Sequence, residues 1–188
     1  MQTRFSCKRM HEEAVSFCEM VRSKHPELFI KAKVLDVGSC DVNGNNRYLF
    51  TDCQYTGLDV SAGPNVDVVC RMHESDLSSD QFDVVICTEM LEHDPNWGES
   101  LQHMYRVLKQ NGLMLITCAT TGRPEHGTAR SGTEHDNPGL VTLGEHYRNL
   151  TVDDLRAAFG GALDEFFFGS VVLINPATCD LYFYGRKR

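Results

Sequence analysis

Apolar positions along the chain recur with two different periods. Between Glu12 and Lys24, the residues Ala14, Phe17, Cys18 and Val21 fall on one face at helical spacing, and Pro26 lies just past the end, which predicts an amphipathic N-terminal helix. Further on, short apolar runs rich in β-branched or aromatic residues appear at 33–37, 55–60, 66–70, 82–87 and 113–118. Runs that do not alternate with polar residues belong to parallel strands covered on both faces. Between the last two runs, Trp97, Leu101, Met104 and Leu108 recur at three- or four-residue intervals, and Asn111-Gly112 carries a helix-stop and turn signature. A crossover helix is expected there.

The rhythm breaks over residues 119–150, which are rich in Gly, Thr, His and Pro. So long a loop in a compact domain is usually functional or mobile. Thr151 then caps a helix to about Phe159, with Asp153 and Asp154 in the first turn and Gly160-Gly161 at its end. Residues 163–168 and 180–185 read as two strands of an antiparallel hairpin, joined by a segment containing Asn175-Pro176. No repeat, low-complexity tract or linker divides the 188 residues, so one domain is expected, with residues 1–30 as its N-terminal helical part.

Composition narrows the function classes. A net charge of -8 opposes binding to nucleic acid or an anionic membrane, both of which need a clustered basic surface. The eight cysteines, from Cys7 to Cys179, contain no CxxC, and Cys70 and Cys87 sit in apolar runs where a reduced thiol acts as a small hydrophobe. A reducing, cytoplasmic compartment fits. No window approaches the roughly eighteen consecutive apolar residues of a membrane span, and no apolar stretch follows the basic N-terminus as in a signal peptide. Met10, Met20 and Met104 read as core or surface filler, and Arg186-Lys187-Arg188 as a solvated tail.

The chemistry-bearing pattern begins at Val34-Leu35-Asp36-Val37-Gly38-Ser39-Cys40, a strand entering a loop in which Gly38 lets a ligand approach the backbone. About twenty residues on, Gly57-Leu58-Asp59 places a carboxylate at the next strand end, suited to ribose hydroxyls. A dinucleotide site would need a third glycine soon after Gly38, but the next is Gly44, which makes a nicotinamide-dependent oxidoreductase the weakest reading. A cofactor without phosphates, with a cationic sulfonium, fits the acidic chain better.

Together with Phe82-Asp83-Val84-Val85, Glu89-Met90-Leu91-Glu92-His93 and Leu108-Lys109-Gln110-Asn111-Gly112-Leu113, these motifs resemble class I S-adenosylmethionine (SAM)-dependent methyltransferases, particularly the methyltransferase type 11 group, over residues 34–120. The resemblance implies a single α/β, Rossmann-like doubly wound domain, its mostly parallel sheet carrying an antiparallel strand near the C-terminal edge. It implies that Asp36, Gly38, Ser39 and Cys40 hold the methionine part of SAM, or of the product S-adenosylhomocysteine. Asp59, beside Val60, takes the ribose, Arg71 and Met72 meet the adenine, and Thr88, Glu89 and Met90 face the methionine end. Two residues depart from the pattern: Cys40 replaces a second glycine that many relatives carry, and Arg71 stands where an acidic residue often meets adenine.

Positioning supplies most of the rate of methyl transfer, and a base helps only an acceptor that carries a proton. His93 is a candidate base at the carboxyl edge of the sheet, or a residue that packs the turn near Glu89. His126 and His146, in the long loop, are candidates for lining the acceptor side. A metal site at Glu134-His135-Asp136 is not expected, because adjacent side chains rarely converge on one ion. The expected function is methyl transfer to a small molecule; the alternative is a non-catalytic SAM-binding or partner-binding module.

Overall fold

A computed structural model describes residues 12–188; Cys7, Met10 and the basic N-terminus lie outside the described residues. Seven strands form one sheet in the order β3-β2-β1-β4-β5-β7-β6. They are β1 (Lys33–Val37), β2 (Gln54–Asp59), β3 (Val68–Val69), β4 (Phe82–Thr88), β5 (Leu108–Ala119), β6 (Phe167–Asn175) and β7 (Asp180–Lys187). The first five pair in parallel, and β7 runs antiparallel to both β5 and β6.

The continuous apolar runs are explained by burial on both faces. Leu35, Val37, Val85, Cys87, Met114 and Ile116 point to one side, where they pack with Leu101 and Met104 of α2 (Trp97–Val107). Val34, Val84, Ile86, Leu113 and Leu115 point to the other, against Phe17, Cys18 and Val21 of α1 (Glu12–Lys24). Phe17 stacks on Tyr182 of β7, with ring centroids 4.7 Å apart. The sheet is therefore wound on both faces, as the motifs implied.

Three elements differ from the sequence reading. The crossover helix ends at Val107, and Leu108 already pairs with Phe82; the register then jumps so that Leu113 faces Val84. Residues 163–168 are not a strand throughout: Leu163–Phe166 form a helical turn, and the strand runs over Phe167–Asn175. The three consecutive phenylalanines suit either period, and burial of Leu163 and Phe167 decides between them. The C-terminal tail is not merely solvated, since Lys187 Nζ reaches Asp80 and the carbonyls of Tyr105 and Leu108 at 2.7–2.9 Å. Two short helices complete the 119–166 region, α3 (Leu140–Leu143) and α4 (Val152–Ala158), the latter closed by a Thr151–Asp154 capping box.

Candidate active site

The carboxyl ends of β1, β2, β3 and β4 open onto a cavity of about 330 Å³. Open α/β sheets bind ligands at this edge, where strand ends and the loops after them converge. At the end of β1, Gly38 turns with φ +78, and its N–H and that of Ser39 both donate to Leu58 O, at 2.9 and 3.1 Å. The chain thus crosses over the end of β2. Asp59, 7% exposed, fastens the crossing: its Oδ2 accepts from Cys40 N and its Oδ1 from Ser61 N, both at 3.1 Å. Burial pushes the Asp59 carboxyl up, while the backbone N–H groups of Cys40, Ser61 and Val60 oppose that shift.

The loop after Gly38 returns through a buried asparagine. Asn46 Nδ2 donates to Asp36 Oδ1 at 3.2 Å and to Thr88 Oγ1 at 3.0 Å, tying β1 to β4 under the cavity. Tyr55 also donates to Asp36. Burial nevertheless pushes Asp36 up to about 6, against the lowering effect of these hydrogen bonds.

Asp36, Gly38, Ser39, Cys40, Asp59, Val60, Arg71, Met72, Thr88, Glu89 and Met90 all line the cavity. The two departures from the family pattern have visible consequences. Cys40 keeps its backbone N–H on Asp59 while its thiol packs on Gly63, where an added Cβ would come within 2.6 Å of the sulfur. Arg71 turns to the opposite wall, with Nη2 donating to Thr142 O at 3.1 Å.

That wall belongs to the 119–150 segment, which lines the cavity both at Arg123 and His126 and between Asp136 and Leu143. Ser61 Oγ donates to Pro138 O at 2.8 Å, and Asp136, Asn137, Pro138, Gly139 and Leu143 line the cavity on the Asp59 side. The segment therefore borders the cavity beside Asp59 as well as beside His93. At the other end Arg123 and His126 line the cavity beside His93. The His93 and His126 rings meet edge to face, centroids 5.0 Å apart, and Tyr147 contacts both.

His146 is not among the lining residues. It stands behind His93, which bonds to its backbone. Burial first, then His126 and His146, pushes His93 down to about 3, so the ring is neutral near pH 7. Buried acids flank it. Burial and the Asp180 charge lift Glu89 to about 7, and burial with the Glu89 charge raises Glu92 well above the usual range. Arg123 pairs with Asp180 at 3.2 Å. The residues missed in the sequence, Asn46, Arg123 and Asn137, lie in polar stretches without periodicity, and no signal in the chain marks them.

The sequence model of the family described as "Methyltransferase domain" matches residues 12–162. Among solved structures, 1,6-didemethyltoxoflavin-N1-methyltransferase of Burkholderia thailandensis superposes with a TM-score of 0.62 at 20% identity, covering 94% of this chain and 79% of that one. Phosphoethanolamine N-methyltransferase 2 of Haemonchus contortus gives 0.64 at 13% identity, covering 94% of this chain and 52%, about half, of that one. A SAM-dependent methyltransferase of Thermotoga maritima gives 0.56 at 12% identity, with 93% and 89% covered. These are likenesses of fold. No curated protein matches the chain. The family match spans most of the chain and contains the strand ends that build the cavity, so the chain belongs to the methyltransferase-domain family.

Proposed function

We propose that this SAM-dependent methyltransferase, acting as a single cytoplasmic domain, transfers its methyl group to a small molecule held at the histidine-bearing end of the cavity. The observation that carries the reading is one cavity lined by Gly38 and Asp59 at one end and by His93 and His126 at the other. Its volume of about 330 Å³ falls in the usual range for small-ligand sites. Two structural relatives support a small acceptor: the Burkholderia enzyme was crystallised with 1,6-didemethyltoxoflavin and S-adenosylhomocysteine, and the Haemonchus enzyme is a phosphoethanolamine N-methyltransferase. The net charge of -8 disfavours nucleic acid as acceptor. No described helix is long and apolar enough to cross a membrane.

The residues present fit the cofactor. A carboxylate offers about four lone-pair sites, and Asp59 uses two of them on backbone N–H groups, leaving acceptor capacity for ribose hydroxyls. The backbone of Gly38, Ser39 and Cys40 holds the methionine part, Met72 and the Arg71 stem pack the adenine, and Thr88, Glu89 and Met90 close the methionine end. Bound there, SAM supplies a methyl group on a sulfonium, open to in-line attack by an acceptor lone pair. His93 and His126 position the acceptor, and the His146 backbone holds His93.

Calorimetric titration with SAM, S-adenosylhomocysteine and NAD tests this reading. The first two are expected to bind and NAD to remain silent. Asp59→Ala should weaken binding by about 2–3 kcal/mol, the worth of charge-assisted hydrogen bonds. Unchanged affinity in that variant overturns the assignment. Tight binding without S-adenosylhomocysteine release across an acceptor panel would instead assign a binding module.

A further inference from the structure

We propose that Glu92, His93 and His126 form a binding site for one divalent transition-metal ion at the acceptor end of the cavity. Each offers one ligand atom, and these atoms lie within 4.8 Å of one another. Two donors about 2.1 Å from a common ion stand at most about 4.2 Å apart, and Glu92 Oε1 lies 3.9 Å from His126 Nε2. Two imidazoles and a carboxylate suit Zn²⁺, Co²⁺ or Mn²⁺ and leave coordination positions open.

The surroundings are those of a built site. Glu92 is fully buried; its Oε1 accepts from Ala119 N at 3.3 Å, and its Oε2 has no hydrogen-bond partner. His93 is 7% exposed and uses one nitrogen on the His146 backbone, while its Nδ1 is buried without a partner. His126 Nδ1 lies 3.2 Å from Pro124 O. A carbonyl only accepts, so Nδ1 carries a hydrogen there, and Nε2 is the nitrogen on the Glu92 side. Both imidazoles are thus oriented by backbone carbonyls, as metal-bound histidines usually are. Gly127 permits the approach: with φ +67, it sits where a Cβ would come 2.7 Å from His93 Cε1. Glu134, His135 and Asp136, set aside from sequence, are not part of this group; convergence comes instead from the turn after β4 meeting the long segment.

A dication here would stabilise the ionised form of Glu92 against its burial. Its open positions would face the acceptor and favour one with a ligating oxygen, a consequence that rests on the methyl-transfer reading above. The ion site itself does not.

Protein stripped with a chelator is titrated with Zn²⁺ and Mn²⁺ by calorimetry and with Co²⁺ by visible absorption. The expected result is one ion per chain and cobalt ligand-field bands. His126→Ala, on a partly exposed segment, should fold normally and lose affinity by roughly 100-fold or more. Glu92→Gln should do the same, whereas His135→Ala should bind like the parent. Absence of binding at millimolar Co²⁺, or equal affinity in His126→Ala, overturns the site and leaves only a Glu92–His126 contact. Titration of the same preparation with S-adenosylhomocysteine separates the two readings: nucleoside binding without metal refutes the site alone, and metal binding without nucleoside refutes the cofactor assignment alone.

Discussion

Replacing Gly38 by alanine tests how the crossing of β1 over β2 shapes the cavity. A Cβ built at this position lies 2.5 Å from Met90 Cβ and 2.6 Å from Met90 Cγ. Carbon atoms in contact prefer about 3.5–4.0 Å, so Met90 must retreat by about 1 Å. Its Cβ is tethered to the backbone just after β4, so the movement cannot be absorbed by a rotamer change and shifts the wall formed by Thr88, Glu89 and Met90. Overpacking of this kind costs about 1–3 kcal/mol, and a left-handed backbone with a side chain costs about 1–2 kcal/mol. Together they predict a loss of about 2–5 kcal/mol. For a chain of this length each kcal/mol lowers the melting midpoint by about 2–4 °C. Gly160 is the control: its φ is +62 and nothing lies within 4 Å of an added Cβ, so Gly160→Ala carries the backbone cost alone. Calorimetric melting of both variants, with S-adenosylhomocysteine titration, reads the difference. Gly38→Ala should melt well below Gly160→Ala and bind the nucleoside at least about tenfold more weakly, since 1.4 kcal/mol of the strain suffices for that. Equal melting points and parent-like affinity would refute the clash.

Other features give shorter tests. Asp36 stands at about 6 when folded against an ordinary carboxyl value of 3.8, so the folded state binds the extra proton and stability falls as pH rises from about 4 to 6, by about 3 kcal/mol. Asp36→Asn should remove that part of the slope in urea unfolding at pH 4, 5, 6 and 7; an identical slope refutes it. Thr151→Ala deletes the capping box of α4 and should cost about 1 kcal/mol, a fall of about 2–4 °C in melting midpoint; no change would mean that the cap is dispensable. Arg71→Ala removes the bond to Thr142 O and should speed amide exchange in residues 139–144 while leaving β4 protected; unchanged exchange refutes the strap.

The central strands were legible because each is buried on both faces, which writes an uninterrupted apolar run into the chain. The same logic brings two of the cavity-lining residues together. Gly38 and Asp59 end adjacent strands, so their spacing along the chain carries their spatial pairing at the β1–β2 edge, where Val37 faces Leu58. Where two periods overlap, the pattern loses resolution. The aromatic run 166–168 serves both a helical turn and a strand start, and the apolar stretch 171–174 that continues β6 lacks a turn signal to separate it from a connection. Lys187 carries no mark of its contacts in the sequence, because a terminal basic cluster looks the same whether its ammonium meets water or three oxygens.

The 119–150 segment shows a different limit. Its order comes from side chains bonding to nearby backbone: Asn137 Nδ2 donates to Gly127 O and its Oδ1 accepts from Gly139 N, while Thr128 and Ser131 close their own box. Such bonds compete with regular structure and leave no period to read. Yet Thr128 is wholly buried, and Ser61 and Arg71 fasten the segment on the Asp59 side of the cavity. One stretch of chain therefore walls the cavity beside Asp59 and also delivers Arg123 and His126 beside His93. Loosening it at either end should affect both halves of the cavity, and on the proposed methyl-transfer reading acceptor choice should follow residues of this segment more than the sheet that carries the motifs.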